Sequence, residues 1–247
     1  MFGNGLKSKI KKYIDKKIYS KYETIVFVSK DNMRKFKQVY KEIRNKYLEL
    51  VKKEVIFNYI DKEKVLNKAE EQPEIRFDSN NINIVTVARL VPQKAIDRLI
   101  RVHKRLIEEN ISHQMYVIGD GPEKEKLQKM IDDNKINDTF HLLGKKENPY
   151  PYIKEADYFC LLSNFEGYPM VLVEAKILNK SIIITDTAAR ETVENYPKST
   201  ILENNEESIF EGLKQIIQDN KKVENQEIEE KYNNDIIIEK IKKLLNN

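Results

Sequence analysis

Seven short runs rich in β-branched and aromatic residues punctuate the chain: "TIVFVS" (24–29), "EVIFN" (54–58), "INIVTVA" (82–88), "QMYVIG" (114–119), "TFHLLG" (139–144), "DYFCLLS" (157–163) and "SIIITD" (181–186). Between the later runs lie stretches of helical period at 94–109, 123–135, 149–156 and 169–179. Strands that alternate with helices can pair in parallel only through crossover connections, so the pattern predicts βαβ units around a parallel sheet covered by helices. Such sheets take their ligands outside the carboxyl ends of the strands. The chemistry should therefore lie in the segments that follow each run.

With 247 residues, 40% of them hydrophobic, the chain can bury one large core or one and a half ordinary ones. No apolar run approaches the roughly 20 residues of a membrane-spanning helix. The start, "MFGNGLKSKIKK", has no apolar stretch ahead of a small-residue cleavage site, so export is not expected. The single cysteine, Cys160, sits within "YFCLL" and reads as a core thiol, which fits a reducing, cytoplasmic setting. The polar segment 67–81 reads as a hinge inside a linker spanning 61–81, and 205–247 as two charged helices. The richness in Lys, Asn and Ile suits an AT-rich bacterial genome.

Charge is unevenly spread. Residues 1–57 carry 16 Lys and Arg against 6 Asp and Glu, while the whole chain is only +4. No aromatic ladder, helix-turn-helix signature or Cys/His finger accompanies this basic segment, so nucleic acid is not the expected partner. Within it Leu6, Ile10, Tyr13, Ile14 and Ile18 recur at helical spacing among lysines. Residues 6–19 thus form a basic amphipathic helix that can either lie peripherally on an anionic membrane or pack on its own domain.

After the third run comes "ARLVPQKAIDRLI", with Arg89 at the strand end and Lys94 near the next helix. Fixed cations beside a helix N-terminus suit a diphosphate, and a pair of solvated charges is the alternative. After the fourth run, "GDGPEKEKL" resembles a dinucleotide fingerprint but lacks its third glycine and the ribose-binding acid, so it reads as a tight turn ahead of a helix. After the sixth, "NFEGYPMVLVEAKIL" places Glu166 in a loop and Glu174 a little over one turn into a helix opened by Pro169. Carboxylates at those places suit vicinal hydroxyls, and the stretch Gly167, Tyr168, Pro169 and Met170 offers backbone groups to anionic oxygens, with N–H donors from each residue except the proline. The alternative is a capping residue and a surface charge.

Glu166, seven residues, then Glu174 reproduces the E-x7-E motif, and "FEGYPMVLVEA" resembles the most diagnostic segment of the family 4 retaining glycosyltransferases. "VARLVPQKAIDRLI", "YVIGDGPEKEKLQKMI", "FHLLGKKENPYPYIKEAD" and "IIITDTAARETV" resemble its other blocks in order and spacing, over roughly residues 20–200. The resemblance implies a two-domain GT-B fold. Residues 1–60 would be a remnant of the N-terminal acceptor domain, and 82–204 a Rossmann-like domain that binds a UDP- or GDP-sugar. It implies further that Arg89 and Lys94 hold the donor diphosphate, that Glu174 holds the ribose and Glu166 the transferred hexosyl group, and that the loop after Gly144, starting at Lys145, meets the base. No metal is expected, which agrees with the absence of a D-x-D pair. Where the family has Lys-Gly and Gly-Gly, this chain has Lys94-Ala95 and Ala188-Ala189.

The three histidines, His103, His113 and His141, fall within or beside a helix and inside a strand, and are read as structural. The expected activity is hexosyl transfer to a cell-surface glycan such as a capsule, or to a glycolipid, with a separate polypeptide supplying the acceptor half. The alternatives are a catalytically silent nucleotide-sugar-binding module and a nucleotide-sugar epimerase of the same fold.

Overall fold

A computed structural model describes residues 18–19, 21–41, 51–219 and 234–246. The chain divides into two compact units, one made of Met1–Ile60 with Asn233–Asn247 and the other of Asp61–Tyr232.

In the first unit, strand β1 (Thr24–Phe27) pairs in parallel with β2 (Lys52–Val55), and α1 (Lys30–Lys41) lies in the connection between them. Ser29 starts α1: it is fully buried and its Oγ accepts from the Asn32 backbone N–H at 3.0 Å. The C-terminal helix Asn234–Leu245 belongs to this unit, where Asn234 Nδ2 donates to the Ile60 carbonyl at 2.8 Å. Of the basic amphipathic segment 6–19, all but Ile18 and Tyr19 lies outside the described residues.

The second unit opens with α2 (Lys62–Lys68), capped by Asp61, whose carboxylate accepts from Lys64 N–H at 2.9 Å. Then follow β3 (Asn83–Val87), α3 (Ile96–Glu108), β4 (Gln114–Ile118), α4 (Lys124–Asp133), β5 (Phe140–Gly144), α5 (Tyr150–Glu155) and β6 (Tyr158–Leu161). The unit closes with α6 (Met170–Ile177), β7 (Ser181–Thr185), β8 (Ser199–Leu202) and α7 (Glu206–Asp219). Six strands make one parallel sheet in the order β5-β4-β3-β6-β7-β8.

Period-two alternation fills both faces of that sheet. Ile84, Met115, Val117, Phe140, Cys160 and Ile183 point into one core with Leu99, Leu106, Leu127, Ile131, Phe210 and Leu213 from α3, α4 and α7. The intervening residues Val85, Tyr116, Ile118, Phe159, Leu161, Ile182 and Ile184 are buried as well, and α2, α5 and α6 pack on one another, with α5 against β3 and α6 against β7. A sheet buried on both faces is what a parallel arrangement requires.

Two elements depart from the sequence expectation. The segment read as a linker, 61–81, begins with α2 and is tied to the sheet unit. Phe77 is buried and stacks on Tyr116 at 3.9 Å between ring centroids, and its N–H donates to Glu155 at 3.1 Å. Strand β8, "STIL", was not expected: four residues, two of them polar and partly exposed at the sheet edge, carry too little alternation to stand out.

Candidate active site

Strand order reverses between β3 and β6. From β3 the chain builds outward through β4 to β5, then returns to the other side of β3 and builds through β7 to β8. Diverging loops at such a reversal open a crevice beyond the strand ends, and this is where an open α/β sheet binds ligands. Two segments flank it here. One follows β3 and carries Arg89 and Lys94; the other follows β6 and carries Glu166 and leads into α6.

The two segments are stitched together. Asn164 N–H donates to the Gln93 carbonyl at 2.9 Å and Asn164 Nδ2 to the Pro92 carbonyl at 3.0 Å, while Gln93 Nε2 donates to the Phe165 carbonyl at 3.0 Å. Arg98, buried on α3, reaches the Leu162 carbonyl at 2.6 Å and Asn204 at 2.8 Å, and Asn204 in turn donates to the Asn164 carbonyl at 2.8 Å. Within this frame Lys94 Nζ lies 2.5 Å from Glu166 Oε1, with side chains only 14% and 6% exposed. Lys94 ends a 3₁₀ turn, Pro92–Lys94, and the next residue, Ala95, is forced into the left-handed region at φ 50° before α3 begins. That geometry is the reason a glycine would suit the position better than the alanine present.

Glu174 stands in the second turn of α6 and is joined not to Glu166 but to Tyr150, whose hydroxyl donates to Glu174 Oε1 at 3.2 Å. Burial pushes the Glu174 carboxyl above the usual carboxylate range, while the Tyr150 hydrogen bond pulls it back. Burial likewise pushes the Tyr150 phenol up to about 12, assisted by the Glu174 charge and their hydrogen bond. Pro169 caps α6 and Met170 is its first residue, so the Gly167–Met170 backbone leads into the helix at the crevice.

Arg89 is exposed at the carboxyl end of β3, with no ion pair or hydrogen bond from its guanidinium among the described residues. Lys145 is exposed just beyond β5, three strand positions from β6, or roughly 14 Å across the sheet. Of the residues expected from sequence, Lys94 and Glu166 meet, Glu174 meets Tyr150 instead, and Arg89 and Lys145 join neither contact. After β7, Ala188–Thr192 forms a 3₁₀ turn held by Lys176 of α6, whose Nζ donates to the Thr192 carbonyl at 2.8 Å. Among the described residues, no three His, Cys, Asp or Glu side chains converge as metal ligands.

"GDG" after β4 has a packing role. A Cβ on Gly119 would sit 1.8 Å from the Ala88 carbonyl oxygen, and one on Gly121 would sit 2.4 Å from that of Leu90. The glycines let this loop press on the Arg89 segment, with Leu90 N–H donating to the Asp120 carbonyl at 2.9 Å. The histidines are structural too. His103 Nδ1 meets His113 Nε2 at 2.8 Å, and His103 Nε2 meets Thr139 Oγ1 at 2.8 Å. His113 Nδ1 must donate to the Ile111 carbonyl at 2.9 Å, which fixes one neutral tautomer for each ring. Sequence reasoning missed Tyr150, Arg98 and Asn164. Of these only Tyr150, in "NPYPY", had a visible signal, two prolines stiffening the backbone around one aromatic.

Residues 67–234 match the family described as Glycosyl transferases group 1. The chain belongs to the group 1 glycosyltransferases. Among curated members of the family, a Campylobacter jejuni N-acetylgalactosamine-N,N'-diacetylbacillosaminyl-diphospho-undecaprenol 4-α-N-acetylgalactosaminyltransferase is 29% identical over 221 residues, which make up 88% of this chain and 57% of that protein. Two solved structures share the fold. A mutant of Staphylococcus aureus TarM, in complex with fondaparinux, α-GlcNAc-glycerol and UDP, superposes with a TM-score of 0.73 at 21% identity, covering 97% of this chain and 47% of that one. The pneumococcal O-GlcNAc transferase GtfA, in complex with UDP and GlcNAc, gives 0.68 at 20% identity, covering 91% of this chain and 45% of that one. The expected GT-B glycosyltransferase fold is therefore found, and the chain spans about half the length of the relatives it matches. Among the described residues no helix is long and apolar enough to cross a membrane.

Proposed function

We propose that this group 1 glycosyltransferase transfers a hexosyl group, with retention, from a UDP- or GDP-sugar to a lipid-linked or polysaccharide acceptor. The observation that carries this reading is the pairing of a cationic segment and a two-carboxylate segment across the point where strand order reverses. Arg89 and Lys94 would take the diphosphate, and Glu174 the ribose diol. Glu166, one oxygen already on Lys94, would offer its other oxygen to a sugar hydroxyl. Gly167, Tyr168, Pro169 and Met170 would present the α6 N-terminus to anionic oxygens, and Lys145 would meet the base at the far end of the crevice. Charge that develops on the departing nucleoside diphosphate would fall between fixed cations and helix N–H groups, the preorganised stabilisation that lowers a transition state without solvent reorganisation. No metal is needed in this scheme.

Lipid-linked and polymer acceptors are suggested by the Campylobacter relative's diphospho-undecaprenol substrate. The reading includes an acceptor half that a separate polypeptide could supply, and a cytoplasmic site of action at the inner membrane face. The test is calorimetry with UDP, GDP and their sugars, with and without EDTA, followed by product analysis with candidate acceptors. Binding of a sugar nucleotide that survives chelation supports the reading. Loss of all affinity on chelation, or no affinity for any nucleoside diphosphate, refutes it.

A further inference from the structure

Tyr150 lies outside both segments that flank the crevice, yet among the described residues its hydroxyl is the one side-chain donor to the Glu174 carboxylate, at 3.2 Å. Its backbone is also held in place. Pro149 and Pro151 flank it, which leaves little backbone freedom at the start of α5. Its N–H donates to Asn148 Oδ1 at 3.2 Å, and Asn148 Nδ2 donates to the Lys68 carbonyl and to Glu71, both at 2.8 Å. The loop that leaves β5 is thereby anchored to the end of α2, and α5 packs directly on α6. A phenol on such a mount is a fixed donor. A glutamate has three side-chain torsions, and a half-buried one such as Glu174 needs a partner to keep a single rotamer.

We propose that Tyr150 is the positioning residue for the ribose-holding carboxylate: its hydroxyl occupies Glu174 Oε1 so that Glu174 Oε2 is aimed at the 2′,3′-diol of the nucleoside diphosphate. This rests on the reading of Glu174 given above. It also makes the residue a determinant of ligand class, because a carboxylate fixed in this way gains from a diol and gains nothing from a sugar without one. Nucleotides bearing a full ribose should be preferred to their deoxy counterparts through Tyr150 as well as through Glu174.

The experiment uses the full chain and whichever of UDP and GDP binds more tightly, together with its 2′,3′-dideoxy analogue, in calorimetric titrations of wild type, Tyr150→Phe, Glu174→Gln and the double variant. Tyr150→Phe should weaken the ribonucleotide about 3–10-fold, the range of an ordinary net hydrogen bond and less than that of a bond made directly to the ribose, because the tyrosine acts only through orientation. It should leave the dideoxy analogue unchanged, and it should cost nothing further in the Glu174→Gln background. Equal weakening of both ligands by Tyr150→Phe would make the tyrosine a structural prop and overturn the proposal. So would a Glu174→Gln loss that Tyr150→Phe does not share. If Glu174→Gln itself leaves the ribonucleotide unaffected, the ribose assignment has failed, and this proposal falls with it.

Discussion

Removing either member of the Lys94–Glu166 pair should destabilise the protein at least as much as removing both. The two groups are 2.5 Å apart and expose only 14% and 6% of their side chains, so each has given up most of its hydration for the other. At an effective dielectric near 20 the Coulomb attraction at that separation is about 6–7 kcal/mol. Desolvation of two ions costs several kcal/mol each, which offsets most of it. The net worth of the pair against two neutral side chains is therefore small, but a single survivor keeps its desolvation cost with nothing to offset it. Lys94→Met, which strands the more deeply buried Glu166, should cost about 3 kcal/mol, the lower end of the range for a broken buried pair, because Lys94 retains some contact with water. Glu166→Gln, which keeps an oxygen acceptor, should cost about 2 kcal/mol, and the double variant only about 1–2 kcal/mol, a coupling of roughly 3 kcal/mol. Urea unfolding followed by circular dichroism reads all four proteins. Single variants that each cost under about 0.5 kcal/mol and add without coupling would put the pair among ordinary surface ion pairs and refute this account.

Three further outcomes are expected. Glu174→Ala should weaken the bare nucleoside diphosphate and the sugar nucleotide alike, by about 1.5–3 kcal/mol or roughly 10–100-fold, whereas Glu166→Gln should remove only the increment the sugar contributes; calorimetry that finds equal losses of bare nucleotide in both would show the two roles to be misassigned. His103 is held neutral, its pKa lowered to about 2 by burial and then by His113 and His141, so unfolding takes up a proton below the ordinary value of 6.5. Stability from this residue is complete above that value and is lost as pH falls below it. The loss is about 2 kcal/mol between roughly pH 7 and pH 5 and should be missing from the pH profile of a His103→Leu variant. Gly119→Ala, which drives a Cβ into the Ala88 carbonyl at φ +150°, should cost about 3 kcal/mol or more in urea unfolding, while Ala95→Gly, which relieves a left-handed alanine, should gain about 0.5–1 kcal/mol.

The parallel sheet was legible because its strands are buried on both faces and must be written in Ile, Val, Phe and Tyr. Six of the seven expected runs coincide with strands to within two residues at either end, and the run at 54–58 is shifted, β2 ending at Val55. Strand β8 was hidden for the converse reason: it is an edge strand with one neighbour, and Thr200 and Ile201 are exposed. α2 was hidden because Lys62–Lys68 is mostly polar, with Val65 its one buried residue, and its place is fixed by packing and by an Asp61 cap.

At the crevice the division runs along a different line. Chemistry that is local in sequence could be read: cations at the end of β3, carboxylates in the loop and helix after β6. What could not be read was which of them would meet, because that depends on strand order. Lys94 and Glu166 are 72 residues apart and touch only because β3 and β6 are neighbours at the reversal of the sheet. Tyr150 and Glu174 are 24 apart and touch because α5 and α6 pack together on one face. Each contact changes the role a residue can play. A lysine already on a carboxylate presents a diphosphate with a cation whose position is fixed in advance, and a glutamate already on a phenol has one oxygen left to give. The sequence supplies the charged groups, and the order of the strands decides how much of each remains free to bind the nucleotide sugar proposed above.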